Sequence, residues 1–153
     1  MNFPDLVGAS HVVLQLAAED KWRALCELCH IASAEGLAVG VGADVLLEAV
    51  EERERSLSTA LEAGLAIPHA FLPGLPHAAL IFAVAPAGIP WGALDGEPAR
   101  LIALLIAPET EDARATHLQV LASLSGAWVE PSRRAAALAA PDAAVLRAVL
   151  SGT

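Results

Sequence analysis

The stretch Ser58–Phe71, Ser-Thr-Ala-Leu-Glu-Ala-Gly-Leu-Ala-Ile-Pro-His-Ala-Phe, decides the reading of this chain. A lead-in of small residues ends at Gly64, a short apolar run suited to a strand follows, and Pro68 stops it directly before His69. The proline fixes its own φ and pushes Ile67 into an extended conformation, so His69 is expected at the stiff end of a strand. No Asp, Glu, Lys or Arg occurs from Ala63 through Leu94. The sequence therefore predicts an imidazole on a rigid, uncharged surface. Near neutral pH an unperturbed imidazole is mostly deprotonated and attacks as a nitrogen nucleophile without a separate base.

On the N-terminal side, Ser10 to Leu16 alternates loosely as a β-strand. Asp20 reads as the N-cap of a helix that ends at Gly36, with Trp22, Leu25, Cys29 and Ala32 as its buried stripe. A second helix is expected from Ala43 to Arg55, with Val45, Leu46, Ala49 and Val50 inward. On the C-terminal side, Leu72 to Pro76 is a loop, Ala78 to Ala85 a strand covered on both faces, and Arg100 to Ala107 another. Turns are expected at Ala87–Trp91 and Asp95-Gly96. Thr116-His-Leu-Gln119 fits a capping box, which puts His117 at a first helical position. There the macrodipole and free N–H groups favour a neutral imidazole and attract an anion. Leu118, Leu121, Leu124 and Trp128 would be the buried stripe of that helix, and two short helices, Ser132–Ala139 and Asp142–Leu150, would follow. Strands interleaved with helices make one α/β domain spanning residues 1–153.

Composition narrows the function classes. A chain of 153 residues supports one domain with a real core. Its mean hydropathy is high, +0.55, but much of that is alanine. Pro68, Pro73, Pro76, Pro86 and Pro90 interrupt the longest uncharged region, which argues against a transmembrane helix of roughly 20 apolar residues. The segment Met1–Ala9 carries Asp5 and no Lys or Arg, unlike a secretory signal, so a cytoplasmic location is expected. A net charge of −9 disfavours nucleic acid and anionic membrane as partners and favours a basic protein.

Leu65-Ala-Ile-Pro-His69 resembles the active-site signature of the mannitol/fructose-type enzyme IIA domains of the bacterial phosphoenolpyruvate:sugar phosphotransferase system, which include the nitrogen-regulatory IIA proteins. The resemblance runs over nearly the whole chain. His117-Leu-Gln-Val-Leu-Ala122 is similar to the family's second histidine pattern, and Arg53 and Thr59 match its arginine and threonine by spacing to His69. The resemblance implies an α/β sandwich, a mixed central sheet flanked by helices. It implies a phosphoryl relay from the phosphohistidine of the carrier HPr to His69, and onward to a cysteine or histidine of a IIB partner. No cofactor or metal is expected, because a phosphoramidate donor is already activated. His69 would be the covalent nucleophile. His117 would hydrogen-bond a phosphoryl oxygen or orient His69. Arg53 would bind phosphoryl oxygens, unless it belongs simply to a solvated helix end. Thr59, Gly64 and Phe71 would contact the phosphoryl group or a partner, and the apolar Leu65, Ile67, Leu72 and Leu75 would exclude water or serve as ordinary packing.

One departure bears on function. Where the family commonly has Thr-Gly-x-Gly, this chain has Thr59-Ala-Leu-Glu62. Lost glycines at Ala60 and Glu62, with an added carboxylate, would reshape or impair the site. A regulatory or binding module, with target affinity set by its phosphorylation state or with transfer lost, is therefore the competing expectation. Cys26-Glu-Leu-Cys29-His30 spells a haem-attachment motif. It falls inside an amphipathic helix without a second ligand pair, and two reduced structural cysteines are the expected outcome.

Overall fold

The computed structural model describes residues 2–152. The elements, in chain order, are α1 (Phe3–Gly8), β1 (His11–Val13), α2 (Lys21–Ala34), α3 (Ala43–Ser56), a short 3₁₀ turn (Glu62–Gly64), β2 (Leu65–Ala66), β3 (His69–Phe71), β4 (Ala79–Ile89), β5 (Ala99–Ala107), α4 (Glu111–Trp128), α5 (Pro131–Leu138) and α6 (Ala143–Ser151). The long strands β4 and β5 pair antiparallel at the centre of the sheet. β1 lies parallel to β4, and β2 and β3 share the far edge of β5, both parallel to it.

Period-two alternation sorts the central strands into two apolar faces. Leu80, Phe82 and Val84 of β4 join Leu101, Ala103 and Leu105 of β5 beneath α1, α4 and α6. Ile81, Ala83 and Ala85 join Ile102, Leu104 and Ile106 on the opposite face, beneath α2 and α3. The result is the expected mixed sheet flanked by helices. No helix among the described residues is long and apolar enough to cross a membrane.

Several local expectations are corrected. The first strand is three residues rather than seven, and α1, capped by the Asn2 side chain with Pro4 in its first turn, precedes it. β4 runs on to Ile89, into the turn expected at Ala87–Trp91, by way of a register shift after Val84 and a left-handed Gly88. Trp22 and Val45 are exposed rather than inward.

The correction that matters most concerns α4. It starts at Glu111, not at Thr116, with the Thr110 hydroxyl accepting the Ala113 N–H at 3.1 Å. Thr110 is followed by Glu111 and Asp112, two carboxylates suited to the positive end of the helix dipole, and that start wins. Thr116 instead donates its hydroxyl back to the Asp112 carbonyl. His117 is thus in the helix interior, and Leu118 is exposed.

β2 and β3 are one edge strand broken at Pro68. Leu65 is in register with Leu101 and His69 with Leu105, while the Pro68 carbonyl accepts the Leu105 N–H across the gap. A proline has no N–H to offer a ladder, and an edge position accommodates it. His69 therefore opens β3 rather than closing the strand before it.

Candidate active site

At the start of β3 the His69 imidazole is 8% exposed and bonded through both ring nitrogens. Its Nδ1 lies 3.0 Å from the Ile67 carbonyl, and the Arg53 Nε–H donates to its Nε2 at 3.2 Å. A guanidinium has no acceptor atom, so Nε2 must present its lone pair to Arg53 and Nδ1 must carry the proton. The neighbours thereby fix the tautomer. Burial, first, and then the Arg53 charge push the His69 pKa below the ordinary imidazole value, against the Ile67 carbonyl and Glu54, which pull it up. The group is a neutral imidazole with Nε2 as its basic nitrogen.

Arg53 stands in the last turn of α3. Its Nη1 donates to the Leu57 carbonyl at 2.8 Å, one of the acceptors a helix end leaves over. His117, on α4, stacks at a tilt against His69, ring centroids 4.1 Å apart. Burial, with His69, Arg53 and Arg114 nearby, holds its pKa down at about 4. The expectation of a neutral His117 is met, but by desolvation and neighbouring cations rather than by a helix start. Its buried Nε2 has no hydrogen-bond partner among the described residues. Phe71 makes T-shaped contacts with both imidazoles, ring centroids 6.1 Å from His69 and 5.5 Å from His117.

Arg53, His69, Phe71 and His117 line one open cavity of about 400 Å³. Its rim is charged, with Glu52, Glu109 and Arg114. The uncharged surface expected from the Ala63–Leu94 run is therefore corrected: α3 and the start of α4 bring charges in from elsewhere in the chain. Sequence reading passed over Arg114. It lies one helical turn before His117 and so on the same face, a signal that was hidden once the helix start was set too late.

The structure does not bring Thr59 or Gly64 to the cavity. Thr59 donates its hydroxyl to Glu54 Oε1, and its N–H goes to Oε2 at 2.7 Å. Glu54, 2% exposed, also accepts the Trp91 Nε1–H at 3.1 Å and faces Lys21 Nζ at 3.4 Å. This buried carboxylate, likewise missed from sequence, ties α2, α3 and the Trp91 loop together behind Arg53. Gly64 has φ +86°, and a Cβ there would come within 3.0 Å of the Pro98 carbonyl. Its role is to let the 3₁₀ turn pass close to β5. Glu62 lines a separate hollow with Trp128 and Arg134, so its carboxylate does not enter the histidine cavity. Leu65, Ile67, Leu72 and Leu75 are core residues. Of the cysteines on α2, Cys26 is exposed and Cys29 buried, the latter thiol pushed up to about 12 mainly by burial.

Comparison with known proteins fits this arrangement. The family model described as "Phosphoenolpyruvate-dependent sugar phosphotransferase system, EIIA 2" matches residues 5–152. This chain belongs to that family. Among EIIA type 2 relatives, the nitrogen regulatory protein of Bradyrhizobium diazoefficiens is 36% identical over 125 residues, 82% of this chain and 78% of that one. The fructose-specific EIIA component of Haloferax volcanii is 32% identical over 110 residues, 71% of this chain and 69% of that one. The solved nitrogen regulatory protein IIA-Ntr from Neisseria meningitidis superposes with a TM-score of 0.85 at 29% identity, covering 94% of this chain and 97% of that one. The mannitol enzyme IIA of Escherichia coli, solved in complex with phosphorylated enzyme IIB, shares the fold at 21% identity and a TM-score of 0.76, covering 94% and 95%. Membership in this EIIA family carries phosphotransferase activity as the general expectation.

Proposed function

We propose that this EIIA protein is a phosphocarrier, taking a phosphoryl group from phospho-HPr onto His69 Nε2 and passing it to a IIB partner. The observation that carries the reading is the fixed tautomer of His69: a basic Nε2 faces Arg53 in an open cavity while Nδ1–H rests on the Ile67 carbonyl. In the transfer, Nε2 donates its lone pair to phosphorus as the donor's P–N bond breaks, and that electron pair returns to the donor imidazole. The His69 ring keeps its Nδ1 proton and becomes positively charged, and the Ile67 carbonyl stabilises that charge. No proton has to move.

Arg53 must first leave Nε2. Its Nη1 anchor on the Leu57 carbonyl lets it pivot from the nitrogen to the incoming phosphoryl oxygens, where a guanidinium binds bidentately. The unpartnered Nε2 of His117, protonated in the matching tautomer, supplies a further donor to the same oxygens. Fixed donors around a group already activated are the form catalysis takes when positioning dominates.

Incubation with phosphoenolpyruvate, enzyme I and HPr, followed by intact-mass measurement, tests the reading. One acid-labile phosphoryl group that is absent from His69→Ala is the expected result. No incorporation, under conditions that label a control IIA protein, rules the carrier out. A second reading, a regulatory module whose target affinity follows its phosphorylation state, is favoured by the nitrogen-regulatory names of the relatives. The Ala60 and Glu62 departures weigh little against transfer, since Glu62 lines another hollow.

A further inference from the structure

Arg114 stands at the mouth of the histidine cavity, and the relay as described makes no use of it. Its guanidinium carbon lies 4.5 Å from the centroid of the Phe71 ring, the same ring that makes T-shaped contacts with both imidazoles. Cation–π attraction to an aromatic face holds a guanidinium in place while its N–H groups stay available for hydrogen bonds. Its Nη2 reaches Glu109 Oε1 at 2.6 Å. Both side chains of that pair are roughly half exposed, 57% and 48%, so the pair is solvent-screened and easily exchanged. A phosphoryl group on His69 would offer a stronger counter-charge nearby, close to two negative charges on three acceptor oxygens.

We propose that Arg114 is a second phosphoryl-binding arginine, held by Glu109 while His69 is bare and transferred to the phosphoryl oxygens once His69 is modified. The proposal rests on the phosphocarrier reading. Arg53 approaches from the end of α3 and Arg114 from the first turns of α4, so the two guanidinium groups bracket the phosphoryl group from different elements. Phe71 acquires a definite task as the platform for Arg114. Glu109 acts as a competitor: it neutralises Arg114 in the resting protein and is released, with its charge exposed to a docked partner, after modification.

The test uses the full chain labelled by two donors, phosphoramidate, which needs no protein partner, and phospho-HPr. The readouts are the labelling rate and the pH titration of the phosphohistidine ³¹P resonance. Arg114→Gln is expected to slow labelling by both donors roughly tenfold and to raise the pH at which the phosphoryl group takes up its last proton. Arg114→Lys should restore part of each effect, and Glu109→Gln should shift the titration in the opposite direction. Wild-type protein that labels, beside an Arg114→Gln variant with unchanged rates and titration, overturns the Arg114 assignment alone. Slowing with phospho-HPr only, at an unchanged titration, makes Arg114 a docking contact and also overturns it. Wild-type protein that takes no label from either donor removes the phosphocarrier reading and this proposal with it.

Discussion

In the proposed relay Arg53 would both restrain His69 and serve it, and the shape of its side chain is what would permit this. It bonds His69 Nε2 through Nε while Nη1 holds the Leu57 carbonyl. Lysine has no planar fork with which to span both, so Arg53→Lys should keep the charge yet slow His69 labelling, roughly tenfold in a phosphoramidate assay. A rate equal to wild type would mean that charge alone suffices. Behind it, Thr59→Val would leave Glu54 Oε1 with only the Trp91 N–H, a loss of about 1–3 kcal/mol in stability by urea unfolding. Because Thr59 does not line the cavity, His69 labelling in folded Thr59→Val should change far less than stability does. The family resemblance, not the residues by themselves, paired Arg53 with His69, and the two are joined by a hydrogen bond. It could not tell whether Thr59 faced the site or the buried carboxylate, a choice made by Glu54 and Trp91, five residues before it and thirty-two after it.

At the scale of elements, capping decides where α4 begins and therefore where His117 sits. Thr110→Ala should cost about 1 kcal/mol, whereas Thr116→Ala, which removes only a back-bond to the Asp112 carbonyl, should stay within about 0.5 kcal/mol. Thermal melts of the two variants check this, and the reverse order would restore the later helix start. Gly64→Ala should cost about 1–2 kcal/mol or more, from the left-handed backbone and the close Pro98 carbonyl together. The long strands were legible from uniform apolar runs, α2 from its Asp20 cap and α3 from helical spacing of apolar residues that ends in a run of charges. The capping-box misreading came from two overlapping threonine signals, and only the acidic pair at Glu111 and Asp112 distinguishes them. β1 was overextended because its alternation continues past the three residues that pair with β4.

For the molecule as a whole, the two imidazoles of the cavity make folding sensitive to mild acid. Both are held below the ordinary value, His117 at about 4 against 6.5 in an open chain. Between those pH values the unfolded chain binds protons that the folded site refuses. Stability is therefore fully present above about pH 6.5 and is lost as the pH falls toward 4. The urea midpoint should drop on going from pH 6.5 to about 5, and His117→Gln should flatten that drop. Identical slopes would remove the cause assigned here. The layered architecture was readable from strand–helix alternation, but the charged rim was not, since it exists only where α3 and α4 converge on a segment that is itself neutral. The broken edge strand has a separate consequence. Beyond Pro68's missing donor, the β2 side is already occupied: Ile67 donates to the Thr59 carbonyl and Leu61 to the Leu65 carbonyl. The opposite margin offers only the three residues of β1. Neither border presents the long row of free amides and carbonyls on which a second chain could grow, so this fold is guarded against fibre-like self-stacking even when crowded with its own copies.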